Sequence, residues 1–253
     1  MKRSILLSVV GAMAMVAAPS AALAQNPAIV EAVMRAQYGT RKDLGAGCWI
    51  HHAANLGSYC MKLVQQHLVG SHDVPRLYLL AEGLPMDGNG AIQEVGAHAA
   101  PGLVGAFAIE LNRPAGDAGP AWRVSAASQE LPFGSFGRAG VTDARLVQIG
   151  PDYYGWTFVS GGTWQGVTVG LHVILAPRGP RFVNLSSIPS MTEQDQGHRF
   201  DIAIDATAKD VKVYPLIVTK WRIVEGKVAG GTVETITVPF DERRRRYAWR
   251  AAD

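Results

Sequence analysis

YYGWTFVSGGTWQGVTVGLHVILAPRGPRFVNLSSI, running from Tyr153 to Ile188, reads as three β-strands joined by two turns. Tyr154, Trp156 and Phe158 lead up to Ser160-Gly161-Gly162, where glycine's tolerance of positive φ lets the chain reverse. On the return strand Gln165, Val167, Val169, Leu171, Val173 and Leu175 share one face. Trp164, Gly166, Thr168, Gly170, His172 and Ile174 share the other. Ala176-Pro177-Arg178-Gly179-Pro180 interrupts this run, and Arg181-Phe182-Val183-Asn184-Leu185 opens the next. Period-two alternation bounded by glycine and proline clusters is the signal of an antiparallel sheet.

Working outward, the same signal recurs. Arg76–Ala81 reads as a buried strand closed by Gly83-Leu84-Pro85, Gly102–Glu110 as another, and Trp122–Ala127 as a return strand. Cys60–Val69 fits both helical and strand spacing, and the turn-like Gly70-Ser71-His72-Asp73 before Pro75 favours a strand. Downstream, Phe200, Ile202 and Ile204 alternate with Asp201, Ala203 and Asp205. Val211–Tyr214, Leu216–Val224 and Thr232–Val238 continue the pattern, with Gly226 and Gly230-Gly231 as turns. The exception is Pro27–Gln37, where Ile29, Val30, Val33, Met34 and Gln37 fit a short amphipathic helix with Asn26 as cap. Gly45–Gly57 is too irregular for a regular element. The expected fold is mainly β: an antiparallel sandwich or partly closed barrel built from hairpins, with a short N-terminal helix. No internal repeat of fixed period is visible, and the glycine-dense Leu131–Gly140 is the candidate internal boundary of residues 25–253, which otherwise read as one β-rich domain.

Lys2 and Arg3, the apolar run Ile5–Ala18 and the small-residue pattern Ala22-Leu23-Ala24 describe a bacterial-type secretory signal cleaved before Gln25. The expected location is the periplasm or the cell exterior, with no transmembrane segment in the mature chain. The whole chain carries 24 Lys+Arg against 21 Asp+Glu. Without residues 1–24, which hold two of the basic residues, the balance is 22 − 21 = +1. A near-neutral chain has no global electrostatic reason to bind nucleic acid. Cys48 and Cys60 are the only cysteines, and in an oxidising compartment they are expected to pair; their spacing is far from the Cys-x-x-Cys of redox catalysts.

No catalytic set emerges. His51, His52, His67, His72, His98, His172 and His198 lack metal-ligand spacing, so no metal or other cofactor is assigned. Ser135 in Phe133-Gly134-Ser135-Phe136-Gly137 departs from the nucleophile-elbow pattern, and Asp87-Gly88-Asn89-Gly90 lacks the later positions of a calcium loop. Asp201 and Asp205, preceded by Glu193 and Asp195, are four residues apart along a strand, too far to share a proton. Tyr154, Trp156 and Trp164 cluster about one hairpin, beside Tyr153, and are the candidate ligand-binding aromatics, since such rings stack on sugars. Arg243–Arg246 is the sharpest charge feature, suited to weak contact with anionic surfaces. The expected function is a non-enzymatic binding or interaction module of the cell envelope, with a protein or polysaccharide partner. The rival is a secreted hydrolase or metal-dependent enzyme whose His and Asp residues meet only in the folded chain.

Overall fold

A computed structural model describes residues 27–39, 41–42, 47–70, 74–95, 99–111, 121–164, 167–192, 197–224 and 227–249, with only the backbone of Arg41, Lys42, Thr163, Trp164, Val167, Thr168, Thr192, Lys227 and Ala229. The expected signal segment 1–24, His72, His98, Glu193 and Asp195 lie outside the described residues. The fold is mainly β, with antiparallel sheets curled into half-barrels and one short N-terminal helix.

Helix α1 (Pro27–Tyr38) precedes a six-stranded meander: β1 (Arg41–Lys42), β2 (Cys48–Ala53), β3 (Gly57–Val69), β4 (Arg76–Pro85), β5 (Gly102–Leu111) and β6 (Trp122–Phe133), each paired with the next. The second sheet contains β7 (Arg145–Gly150), β8 (Tyr153–Trp164), β9 (Val167–Arg178), β10 (Arg181–Asn184), β11 (Pro189–Thr192), β12 (His198–Ile204), β13 (Leu216–Val224) and β14 (Lys227–Val238). Its order is β14-β13-β12-β11-β9-β8-β7, with β10 also paired to β9. A small hairpin of β15 (Phe240–Asp241) and β16 (Arg246–Tyr247) closes the chain.

Apolar side chains separate into three main layers, because three strands are buried on both faces. On β4, Leu77, Leu79 and Ala81 point to the layer under α1, while Tyr78 and Leu80 point to the layer between the sheets. β5 splits the same way, with Phe107 and Ile109 against Ala106 and Ala108. β9 sends Val173 and Leu175 into the layer between the sheets, and Ile174 and Ala176 into the third layer, inside the second half-barrel. A strand covered on both faces has no polar side, so these segments read as continuous apolar runs. Each such large side chain contributes about 1.5–3 kcal/mol by leaving water.

The curl of the first sheet is held at its seam. His51 Nε2 on β2 meets Glu130 Oε2 on β6 at 2.9 Å, across strands that are not neighbours in the ladder. α1 fills the gap: Val30, Val33 and Met34 are buried against the sheet, and the Tyr38 hydroxyl donates to the Gln129 carbonyl at 2.9 Å. The two sheets are stitched where β6 meets β10. Ala127 N donates to the Pro180 carbonyl, Phe182 N to Ser128 Oγ, and Ser128 Oγ to the Phe182 carbonyl.

Several expected turns lie elsewhere. β8 continues through Ser160-Gly161-Gly162 to Trp164, which pairs with Val167, so Ser160-Gly161-Gly162 is paired strand and not the reversal. Gly161 is in the strand because a Cβ there would strike the Val169 carbonyl across the hairpin. Gly230-Gly231 likewise lie inside β14, where the register slips around Trp221 and Gly230 takes φ 75°. They form a bulge, not a turn. Gly45–Gly57 is more regular than its composition suggests, since Cys48–Ala53 is β2 and Gly57 opens β3. β4 runs through Gly83 to Pro85, and β6 runs on to Phe133, with Pro132 tolerated on the outer strand of the sheet. The rest of Leu131–Gly140 carries the chain from one sheet to the other, burying Ala139 between them and taking a hydrogen bond from Ala139 N to Glu82 Oε1. Val211–Tyr214 forms bends instead of a strand.

Candidate functional site

The arginine run is a built feature of the fold. Phe240 pairs with Tyr247 and Asp241 with Arg246, so Glu242 to Arg245 form the tip of the β15–β16 hairpin. Asp241 Oδ1 accepts from the backbone N–H of Arg243 at 2.9 Å and of Arg244 at 3.0 Å, the local capping that aspartate performs at turns. Those hydrogen bonds, from Arg244 first, hold the Asp241 carboxyl below the usual carboxylate range. Arg245 takes φ 54°, which tightens the reversal. Tyr247 anchors the whole: it is fully buried, its N–H donates to the Leu185 carbonyl, and its hydroxyl donates to the Tyr214 carbonyl at 2.7 Å. Its ring also meets Phe240 edge to face at 5.3 Å.

The guanidinium groups are displayed outward. Arg243, Arg244, Arg245 and Arg246 are all exposed. Arg244 Nε stands 3.7 Å from Asp241 Oδ2, whereas the other three make no ion pair among the described residues. A surface hollow of about 620 Å³ beside the tip is lined by Pro239, Asp241, Arg243, Arg244 and Ala248. The turn therefore presents three guanidiniums with no ion pair among the described residues, each a planar fork suited to phosphate or carboxylate.

The aromatic candidates are placed differently. Trp156 is wholly buried between the sheets, its ring edge-on to His67 at 5.6 Å, so it presents no face to a ligand in solvent. Tyr154 packs in the same layer, 6.1 Å from the Tyr78 ring. For Trp164 the side chain is outside the described residues.

The described histidines are dispersed. His51 serves the β2–β6 seam beside Tyr38, whose ring is 5.3 Å away. His52 Nδ1 meets Ser58 Oγ at 2.8 Å on an exposed hairpin. His172 bonds the Phe200 carbonyl at 2.7 Å; a carbonyl only accepts, so Nε2 carries the proton. Among the described residues, no three His, Cys, Asp or Glu side chains come together as a metal site. Asp201 pairs with Arg199 and Asp205 caps Thr207, so each aspartate has its own local partner. Asp87 Oδ1 accepts from the N–H groups of Asn89 and Ala91, forming a turn, and Ser135 sits in a tight turn bridged to Arg138. Cys48 and Cys60 are joined, with Cα atoms 5.4 Å apart, across the β2–β3 pair.

Sequence reading missed a second concavity. At one end of the layer between the sheets, β4, β5 and β6 face the β7–β8 and β9–β10 turns across a cleft of about 510 Å³. Arg76, Glu110, Arg123, Tyr78 and Tyr153 line it, drawn from four strands. No local motif connects these residues; only the antiparallel register Arg76↔Glu110↔Arg123 places them in a row.

No described helix is long and apolar enough to cross a membrane. No protein-family model, curated protein or solved structure matches the chain.

Proposed function

We propose that the protein is an exported, non-enzymatic binding module of the cell envelope that meets an anionic envelope component through the Arg243–Arg246 hairpin. The observation that carries this reading is the contrast between anchor and display. Tyr247 and Asp241 anchor the turn, while three arginines on it are exposed and make no ion pair with a carboxylate among the described residues. Exposed charges on a mobile tail are dispersed by thermal motion; on a fixed turn they act together on one partner. The cysteine pair is compatible with an oxidising compartment, and the basic-apolar-small pattern of residues 1–24 supports export.

At about 1 kcal/mol per arginine near an anionic surface, the three contribute on the order of 100-fold in affinity. Co-sedimentation of the chain lacking residues 1–24 with phosphatidylglycerol and phosphatidylcholine vesicles, and titration with an anionic polysaccharide, tests this. Binding to an anionic partner should weaken by that factor in the Arg243→Gln/Arg245→Gln/Arg246→Gln variant and fall steeply with salt. Equal affinity of variant and wild type for every anionic probe would sink the reading. A secreted form whose mass begins at Gln25 supports export, and retention of the full-length mass counts against it.

A further inference from the structure

We propose that the cleft between the sheets at Arg76, Glu110 and Arg123 is a binding site for a neutral polyhydroxylated molecule, a saccharide. The inference is independent of the arginine hairpin, whose hollow shares no lining residue with this cleft.

The cleft exists because small side chains floor it. Ala108 and Ala126, on adjacent strands in direct register, leave a concavity between the polar row and the opposing turns. Across it, Arg76 Nη1 donates to the Asp152 carbonyl at 3.3 Å, tying the first sheet to the β7–β8 turn and holding that wall in place.

The polar row alternates donor, acceptor, donor. Arg123 grips Glu110 Oε2 through Nε at 2.7 Å and Nη2 at 2.6 Å. Arg76 Nε is 3.9 Å from the other oxygen, Oε1, a charge-pair distance too long for a hydrogen bond. A hydroxyl oxygen can stand about 2.8 Å from both, donating to Oε1 and accepting from Arg76. Only a group that both donates and accepts uses such a pair. Hydroxyls do so, and vicinal hydroxyls match a row of alternating forks.

Charge sorts the other ligand classes. Two guanidiniums against one carboxylate leave the row net positive, and a carboxylate or phosphate drawn to it must come up against Glu110. A cation approaches two guanidiniums. A neutral ligand meets neither repulsion and keeps the charge-assisted hydrogen bonds, which are about twice as strong as neutral ones. Tyr153 completes the lining: its hydroxyl, kept protonated by burial, donates to the Pro177 carbonyl at 2.8 Å, and its oxygen can still accept from a ligand hydroxyl. Tyr78 is almost wholly buried and backs the wall.

The test is a neutral glycan array followed by calorimetric titration of the full mature chain, with sodium sulfate as the anionic probe. The expected result is saturable binding of at least one neutral glycan, weakened tenfold or more by Glu110→Gln and by Arg123→Gln. The Arg123 side chain is 64% exposed, so its variant tests the site without disturbing the core. The sign of the Glu110→Gln effect is diagnostic, because removing that carboxylate weakens a polyol and strengthens an anion. The proposal is overturned if no neutral glycan binds, if both variants bind the glycan as wild type does, or if sulfate saturates the cleft and tightens in Glu110→Gln.

Discussion

The two curled sheets face the same problem and solve it with different chemistry. A curved sheet leaves a concave apolar face that one layer of strands cannot cover. In the first sheet α1 covers it, with Val30, Val33 and Met34 buried and Tyr38 reaching β6. In the second, the C-terminal segment covers it, with Tyr247 fully buried among Ile149, Ile174, Leu185 and Leu216. The helix spreads its contribution over four buried residues of one amphipathic face. The C-terminal hairpin, only two residues per strand, concentrates its contribution in one phenol ring with two backbone anchors. A distributed plug should tolerate single losses better than a concentrated one.

The largest expected effect tests that contrast directly. Tyr247→Ala should destabilise the fold by about 3–5 kcal/mol, the range for truncating a large buried aromatic side chain. Met34→Ala should cost about 2–5 kcal/mol and fall below Tyr247→Ala. Urea titration gives both values, and amide hydrogen exchange should show losses centred on β12–β13 for the first and on β2–β6 for the second. Equal costs with the same exchange pattern would remove the distinction.

Next in size is the disulfide, which acts on the first half-barrel only. Reducing Cys48–Cys60, separated by 12 residues, should cost roughly 3 kcal/mol on the chain-entropy model. Thermal melts with and without reductant measure this, and exchange in β13–β14 should be unaffected by local opening of the β2–β3 pair.

Smaller again is removal of single hydroxyls. Tyr247→Phe removes the donor to the Tyr214 carbonyl and Tyr38→Phe the donor to the Gln129 carbonyl, both part-buried hydrogen bonds, each at about 0.5–1.5 kcal/mol. Both half-barrels should also share an alkaline limit. Burial raises the Tyr38 and Tyr247 phenols above their ordinary value and pushes Tyr153 up to about 12. Their stabilising contribution is fully present below about pH 10, where unfolded tyrosine begins to ionise, and is lost as pH rises through the higher folded values. Denaturant midpoints from pH 8 to 11 should therefore fall above pH 10, and less steeply in Tyr247→Phe.

The smallest effect separates the two halves at acid pH. Burial lowers the His172 imidazole in the second half-barrel below its ordinary value. Its contribution is present above about pH 6.5 and is lost as pH falls through the folded value, because the unfolded chain binds the proton more tightly. His172→Gln should flatten this part of the stability profile between pH 7 and 5. An unchanged slope would assign it to other groups.

Legibility followed the range of the interaction involved. The face assignment of β9 and the extent of α1 were readable because periods of 2 and 3.6 are properties of adjacent residues. The glycine pairs were misplaced because Gly161-Gly162 and a turn glycine look alike in sequence. What distinguishes them is the Val169 carbonyl approaching from the partner strand. The arginine run was visible as charge, but its status as a fixed turn depended on Tyr214 and Leu185, more than 30 residues away. The Arg76–Glu110–Arg123 row had no local signature at all, since ladder register across three strands assembles it.

By itself, then, the sequence determined the β class, the amphipathic helix, the pairing of its only two cysteines and the position of the positive charge. These follow from side-chain periodicity, composition and short-range chemistry. Tertiary structure decided which strands are buried on both faces, where the hairpins turn, what fills each half-barrel and where Arg76 meets Glu110. Each of these depends on contact between segments far apart in the chain, where burial and hydrogen-bond satisfaction outweigh the local preferences of any one segment.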